Sequence, residues 1–319
     1  MQEHLIRDFS LIEYHYKDNK LDSLSHFLDC WEHVLYTMLR NHNIDMVEYF
    51  YGNTNPEYYE NDNIIGLRRV EENMNRSFRI FPLYADSAIE YIHLLENTLE
   101  NDKPVAMITM FDMLPNYKWY REGKLGINNH HANLVVGFDE SHFYVIDHPL
   151  VFFKDRDYCL QDNRSIHLVK KEYILKAFQQ YCKLNTIEFA EKKDNFTLEN
   201  LLINIVNEFY VGEFRGKSAI IKCIQKLENN CNVNLVVFDI HLIYARHVLL
   251  KAMFEREQSK YKNYQMIIRK LNTCISNWFS LKILIQRGKD SNLISRQIDQ
   301  LKKILIDEEQ FILQLNTTI

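Results

Sequence analysis

The sequence predicts an α+β domain with an antiparallel sheet over residues 1–165, followed by an all-helical domain over residues 166–319. All five prolines lie at or before Pro149, so the second half lacks the residue that most strongly breaks helices. The apolar residues also change period, from strand-like alternation in the first half to helical steps of three and four in the second. A length of 319 residues is sufficient for two domains.

Apolar patterns predict the elements of the first half in order. One helix is expected over 29–42, with Trp31, Val34, Leu35, Met38 and Leu39 on one face. A second helix runs from Asp86 to about Asn101. Strands are expected at 105–111, 131–138 and 143–147, the last two forming a hairpin. The tyrosine- and asparagine-rich segment 49–64 is expected to be an irregular loop.

The second half is predicted to be helical along its whole length. Helices are expected at 197–211, 215–228, 233–256 and 261–286. A last helix is predicted by the apolar stripe of Ile294, Ile298, Leu301, Leu305, Ile312 and Leu315. Arg246, with His247, lies in an otherwise apolar helix and needs a partner. Asp239, about two turns away, is the candidate, but these polar side chains are expected to face solvent instead.

Composition and charge argue against several classes of protein. The net charge is −5 and the basic residues are scattered, which disfavours binding to nucleic acid. No run of 18 apolar residues and no signal-peptide pattern is present, so we expect neither membrane insertion nor secretion. Six scattered cysteines without a CxxC pair indicate reduced thiols in a cytoplasmic protein. With eight glycines and no glycine-rich phosphate loop, a nucleotide site of that type is not expected.

Cys30 is the candidate nucleophile. Asp29 precedes an apolar-periodic run and lies three residues before Glu32, as in a capping box, so Cys30 is predicted to be the first helical residue. A thiol there faces unpaired backbone N–H groups and the positive end of the helix dipole, which favour the thiolate. Because Asp29 and Glu32 oppose this effect, a basic partner is needed. A buried structural cysteine is the alternative interpretation.

His131 is the candidate partner of Cys30. Alternation along its strand puts His131 on the same face as Asn133. Asp147, on the next strand, shares that face if the numbers of any two residues that lie opposite each other in the hairpin have an even sum. Such a register places Gly137 opposite Phe143 and Asn133 opposite Asp147. A bulge at Gly137 allows this register. A cysteine at a helix start, a histidine on a strand and a carboxylate on the next strand follow the papain-like order, although a hairpin with a polar face in water fits equally well.

These segments resemble a known family. The residues DC at a helix start, together with HHANLVVGFDESHFYVIDHP, resemble the papain-like butirosin biosynthesis protein H family and, more distantly, bacteriocin-processing cysteine peptidases. The family pattern H-x-x-V-x-G-[FY]-D…V-x-D-x-P is matched at His131, Leu134 (for Val), Val136 (displaced), Gly137, Phe138, Asp139, Asp147 and Pro149. The resemblance covers roughly residues 25–155.

The resemblance implies a cysteine-dependent acyltransferase of natural-product biosynthesis. An acyl group passes from a carrier-protein phosphopantetheine thioester to Cys30 and then to an amine acceptor, with His131 as general base and Asp147 as its orienting group. The implied partners are an acyl or peptidyl carrier protein and a small antibiotic-like amine. No cofactor of the enzyme's own is implied, since phosphopantetheine arrives on the carrier. Attack by water instead of an amine gives a thioesterase or peptidase-like hydrolase.

One departure concerns the oxyanion site. The related peptidases carry a glutamine about six residues before the cysteine, where this chain has Ser23, Leu24 and Ser25. The backbone N–H of Cys30 is therefore the one oxyanion donor that the sequence identifies.

Two other functions remain open. Ligand types for zinc are present at Cys30, His33, His130, His131, Asp147 and His148. Adjacent histidines on a strand point to opposite faces, however, and HExxH is absent. The second alternative is a non-catalytic papain-fold binding module whose amphipathic helices pair with another protein or with a second copy. The cysteines outside the candidate site are expected to be core thiols: Cys159, Cys182, Cys223, Cys231 and Cys274.

Overall fold

The chain forms two compact units in a computed structural model. The first comprises Met1–Tyr49 and Asn75–Asp194, and the second comprises Phe50–Met74 and Asn195–Ile319. The structure describes residues 4–5, 30–41, 54–61, 64–69, 78–110, 130–146, 150–151, 159–160, 166–180, 182–189, 197–230, 233–261, 263–287 and 291–318.

The helices and strands of these residues are numbered in chain order. Up to residue 189 they are β1 (His4–Leu5), α1 (Cys30–Asn41), β2 (Pro56–Asn61), β3 (Ile64–Arg69), β4 (Phe78–Leu83), α2 (Ala88–Glu100), β5 (Val105–Met110), β6 (His130–Phe138), β7 (His142–Ile146), β8 (Leu150–Val151), β9 (Cys159–Leu160), β10 (His167–Lys170), α3 (Lys171–Gln180) and β11 (Cys182–Phe189). They continue with α4 (Leu198–Tyr210), α5 (Gly216–Asn229), β12 (Asn234–Leu235), α6 (Val237–Arg256), a 3₁₀ turn (Gln258–Lys260), α7 (Tyr264–Gln286) and α8 (Ser291–Asn316).

An antiparallel sheet organises the first unit. Its strands follow the order β10-β7-β6-β5-β11-β4, and β1 also pairs with β6. Helix α2 begins at the N-cap Ser87, whose hydroxyl accepts the Glu90 backbone N–H at 3.2 Å, and this satisfies one free donor of the first turn. The pair β8–β9 forms a separate two-stranded sheet.

Both faces of the central strands are covered, which explains their nearly continuous apolar sequences. Helix α1 packs on one face, where the buried cluster consists of Val34, Leu35, Met38, Ala106, Ala132, Leu134, Val136, Tyr144 and Ile146. Helices α2 and α3 pack on the other, where the cluster consists of Tyr91, Leu95, Leu99, Val105, Met107, Val135, Phe143, Val145, Val169, Ile174 and Leu184. Successive residues of β6 therefore contribute to different layers of the core.

The second unit packs long helices against a small sheet. The hairpin β2–β3 is antiparallel, and β12 adds to β3 in parallel. The ring of Tyr59 lies over its cross-strand partner Gly66, where an added Cβ would come within 2.0 Å of a ring carbon. The core joins this sheet to α5, α6, α7 and α8 through Ile65, Leu67, Ala219, Ile220, Cys223, Leu227, Ile240, Ile243, Trp278, Leu281, Leu301 and Ile304.

Most predicted elements are confirmed within a few residues. The helix expected at 29–42 spans Cys30–Asn41, and the strand expected at 131–138 spans His130–Phe138. The helix expected from 233 begins later, at Val237, because Asn234–Leu235 pair with β3. The antiparallel sheet of the first half is confirmed as well.

Two parts of the predicted organisation differ from the structure. The first unit does not end at residue 165, because β11 completes its sheet between β4 and β5. The second unit is not all-helical and does not begin at 166, because the β2–β3 hairpin buries Ile65 and Leu67 among its helices. The segment expected as an irregular loop thus contains β2 and the start of β3.

Among the helices that the structure describes, none is both long enough and apolar enough to cross a membrane.

Candidate active site around Cys30

Cys30 is the first residue of α1, as predicted. Three residues of this helix, Val34, Leu35 and Met38, recur at helical spacing and are fully buried, which attaches α1 to the sheet. Cys30 itself packs at the edge of that cluster and stays partly exposed. The predicted N-cap, Asp29, lies outside the described residues, so the capping box stays a prediction.

The position of Cys30 favours reaction through sulfur. The first backbone N–H groups of a helix lack intrahelical partners, and the helix dipole is positive at this end. The same N–H groups can stabilise an oxyanion that forms next to the sulfur.

Two other described cysteines have the opposite environment. Cys223 and Cys274 are buried in the second unit, and burial raises the pKa of each thiol. Their predicted role as core thiols is confirmed. For Cys159 and Cys182 the structure describes only the backbone, within β9 and β11, and Cys231 lies outside the described residues.

His131 lies second in β6 and is 2% exposed. Its neighbour Ala132 belongs to the cluster under α1, together with Leu134, whereas Val135 belongs to the cluster under α2. Strand alternation therefore places His131 and Asn133 on the face opposite α1. Cys30 packs against the cluster on the α1 side, so the predicted pair of Cys30 and His131 does not share one face of the sheet.

The register of the β6–β7 hairpin agrees in part with the prediction. Leu134 pairs with Ile146 and Val135 pairs with Val145, so the numbers of these paired residues have an even sum, as expected. A bulge between Val135 and Gly137 produces this register, although Gly137 pairs with Tyr144 rather than with Phe143. Asp147 lies outside the described residues, so its predicted place opposite Asn133 stays a prediction.

Asp139 holds the turn of this hairpin. Its Oδ1 accepts the backbone N–H groups of Ser141 and His142, both at 2.7 Å, and its Oδ2 accepts the Tyr144 hydroxyl at 3.3 Å. The hydrogen bond from the Ser141 N–H, followed by those of His142, lowers the pKa of Asp139 below its ordinary value. The aspartate of the family-like pattern therefore has a structural role in positioning β6 and β7.

The zinc alternative finds no assembled site in the parts of the chain that the structure describes. No group of three or more histidine, cysteine or carboxylate side chains there is arranged to hold a metal ion. For His33 and His130 the structure describes only the backbone. Asp147 and His148 lie wholly outside the described residues.

Sequence reasoning missed a polar cluster in the second unit. His247 does not face solvent as expected: its side chain is fully buried and lies 2.8 Å from Glu308. The signal was present in the helix period, because Ile240, Ile243, His247, Leu250 and Phe254 step by three and four and are all buried. His247 occupies an apolar position of that stripe.

Comparisons with known proteins provide little further constraint. No protein-family model matches the chain, and no curated protein matches its sequence. Among solved structures, the chain is similar to one from Bacillus anthracis described as a C39-like peptidase. The identity is 15%, the TM-score is 0.34, and the match covers 60% of this chain and 100% of that one. This TM-score does not establish a common fold.

Proposed function

We propose that the protein is a cysteine-dependent acyltransferase in which Cys30 carries the acyl group. The observation that supports this proposal is the placement of a partly exposed thiol on the first residue of a helix packed against β6. A helix start supplies both thiolate stabilisation and oxyanion donors, which are the two requirements of acyl transfer through sulfur.

The proposed reaction has two balanced steps. The Cys30 thiolate attacks the carbonyl carbon of a carrier-protein thioester, a new C–S bond forms, and the pantetheine thiolate leaves and takes a proton from His131. An amine acceptor then attacks the acyl-Cys30 carbonyl and transfers its proton to His131 as the thiolate of Cys30 departs. The backbone N–H of Cys30 stabilises the oxyanion of both tetrahedral intermediates, and Asp147 orients the imidazole.

Intact mass spectrometry tests the covalent step. The full chain is mixed with S-acetyl-pantetheine at pH 7, and we expect a single acetyl adduct that maps to Cys30 by peptide analysis. Cys30→Ala should form no adduct, because the proposal places the acyl group on Cys30 alone. An adduct that persists in Cys30→Ala contradicts the proposal.

The adjacent histidines supply a matched control for the base. His131→Ala should slow adduct formation by about 10²–10⁴-fold, the usual scale for loss of a general base. His130 has the strand position that Ala132 and Leu134 share on the α1 side of β6, so His130→Ala tests the alternative base, and it should leave the rate within a few-fold if His131 is the base. Asp147→Asn should leave a slow enzyme, because the orientation of the base is impaired while nucleophile and base remain. An effect of His130→Ala larger than that of His131→Ala overturns the assignment of the base.

The fate of the acyl group separates transfer from hydrolysis. The isolated acetyl-enzyme is incubated with and without a small primary amine, and loss of the adduct is followed over time. An acyltransferase loses the adduct faster with the amine and forms the amide, whereas a thioesterase loses it at one rate in both samples.

A non-catalytic binding module is the second candidate function. The observation that favours it is the placement of His131 on the face of β6 opposite α1. This candidate predicts no adduct with S-acetyl-pantetheine under any of these conditions.

A further inference from the structure

The core of the second unit contains one polar cluster at the junction of three helices. His247 comes from α6, Trp278 from α7 and Glu308 from α8. The side chains of His247 and Glu308 are 0% and 7% exposed, and Trp278 is fully buried. Such groups lose their hydration on folding, so they are stable only when their polar atoms contact one another.

Glu308 is the centre of this cluster. Its Oε1 accepts the indole N–H of Trp278 at 2.6 Å and lies 2.8 Å from Nε2 of His247. The second contact is close enough for an ion pair, although the N–H is not aligned as a linear hydrogen bond. Cys274 of α7 also hydrogen-bonds Glu308. Three helices are thus connected through one carboxylate.

The proton count of the pair follows from its contacts. Nδ1 of His247 lies 2.9 Å from the backbone carbonyl oxygen of Ile243. A carbonyl only accepts, so Nδ1 carries a hydrogen. At 2.8 Å the Nε2 lone pair and the Glu308 carboxylate would repel each other unless a second proton lies on one of them. With that proton the pair is neutral overall, as an imidazolium and a carboxylate. Without it, an unpaired carboxylate stays buried beside a ring nitrogen lone pair.

We propose that His247 and Glu308 form a proton-dependent lock on the helical part of the second unit. While the pair holds its proton, α6, α7 and α8 stay connected through Glu308. Loss of the proton at alkaline pH weakens this junction and increases local opening of the three helices. The lock is independent of the acyl-transfer proposal, because none of its residues belongs to the Cys30 region.

The surrounding charges are consistent with this direction. Burial, the largest influence, lowers the pKa of His247, but the attraction and hydrogen bond of Glu308 and the Ile243 carbonyl raise it further, to a net value above the ordinary one. A raised folded-state pKa gives a stabilisation that is complete below the unfolded-state value of about 6.5 and lost as the pH rises through the folded-state value.

Other titratable groups lie on the helices that pack together in this unit. They are Cys274 and Lys282 on α7, His241 on α6, Asp307 and Glu309 on α8, Lys217 on α5, and Glu199 and Glu208 on α4. Asp307 accepts the Asn277 amide at 2.6 Å, Lys282 lies 3.3 Å from His241, and Lys217 pairs with Glu309 at the surface. The thiol of Cys274 stays protonated over the relevant range, since burial and the nearby Glu308 and Asp307 raise its pKa well above its ordinary value.

Hydrogen exchange on the full chain, read peptide by peptide between pH 6 and 9.5, tests the lock. After correction for the intrinsic exchange rate, protection of α7 should fall by up to about tenfold per pH unit in the alkaline part of this range. Peptides from β5 and β6 in the first unit are the internal reference and should not follow this trend.

Two variants keep the test decisive. His247→Leu combined with Glu308→Leu removes both polar groups, a change that commonly preserves folding, and should leave α7 protection independent of pH after correction. His241→Gln, which changes the other buried histidine of α6, should retain the dependence of the unaltered protein. The proposal is wrong if the unaltered protein and the double-leucine variant show the same pH dependence, or if His241→Gln abolishes it.

Discussion

The two units contain the same types of reactive side chain in opposite environments. In the first, Cys30 lies at a helix start and stays partly exposed, whereas in the second, Cys274 of α7 is buried and hydrogen-bonds Glu308, the partner of His247. A helix start with solvent access favours thiolate chemistry. Complete burial favours the protonated thiol and converts the neighbouring histidine and carboxylate into structural contacts. Access and backbone environment, more than residue identity, therefore distinguish a candidate nucleophile from a core residue.

The largest expected difference between the units is in thiol reactivity. At pH 7, limited labelling with N-ethylmaleimide should modify Cys30 at least about 100-fold faster than Cys223 or Cys274, because the buried thiols react only after local opening. Peptide mapping by mass spectrometry measures the three rates. In concentrated denaturant the rates should converge, which provides the control. Equal rates in the native protein would show that Cys30 is a structural cysteine.

The next largest effect concerns the buried pair. Glu308→Ala leaves His247 without its charged partner and should destabilise the second unit by about 3–5 kcal/mol. Glu309→Ala, one residue along, removes only a surface pair with Lys217 and should cost less than about 1 kcal/mol. Denaturant unfolding monitored by helix circular dichroism measures both. Similar losses in the two variants would contradict the structural role of Glu308.

The elements near Cys30 could be predicted from the sequence because local patterns specify them. The start of α1 follows from the apolar stripe of Val34, Leu35 and Met38, and the β6–β7 hairpin follows from two alternating runs around a short turn. The even register was expected because it puts His131 and Asp147 on one face of the hairpin, and Gly137 offered a place for the bulge that it requires. The position of the bulge, one residue from where it was expected, depends on packing that no local pattern records.

Long-range pairing explains the parts that were not predictable. The hairpin β2–β3 has polar, tyrosine-rich sequence in β2, and its place in the second unit depends on helices more than 100 residues later in the chain. Strand β11 likewise joins a sheet whose other strands precede it by many residues. His247 was misjudged because a polar residue on an apolar stripe needs a distant partner, and Glu308 is 61 positions away.

Substitutions at two residues with positive φ should change the free energy of unfolding by smaller amounts, with opposite sign in the two units. Gly216 has φ +53°, and an added Cβ would lie 2.6 Å from the carbonyl oxygen of Phe209, so Gly216→Ala should destabilise the second unit by about 1–3 kcal/mol. In the first unit, Asp102 is a non-glycine residue at φ 55°, just after α2. Asp102→Gly should stabilise that unit by up to about 1 kcal/mol. Denaturant unfolding measures both free energies of unfolding. A stabilised Gly216→Ala variant together with a destabilised Asp102→Gly variant would contradict the two backbone conformations.

The smallest effects test whether the units are stabilised independently. Ser87 and Thr197 are equivalent N-caps, each accepting the backbone N–H three residues later at 3.2 Å, one at α2 and the other at α4. Replacing either by alanine should cost about 1 kcal/mol, because one N–H of the first turn loses its acceptor. Since each unit has its own core, Ser87→Ala should lower hydrogen-exchange protection in the β5–β6 peptides alone, and Thr197→Ala in the α4–α5 peptides alone. If either variant lowers protection equally in both sets, the two units unfold as one, and the contrast between their cysteines has to be explained without separate cores.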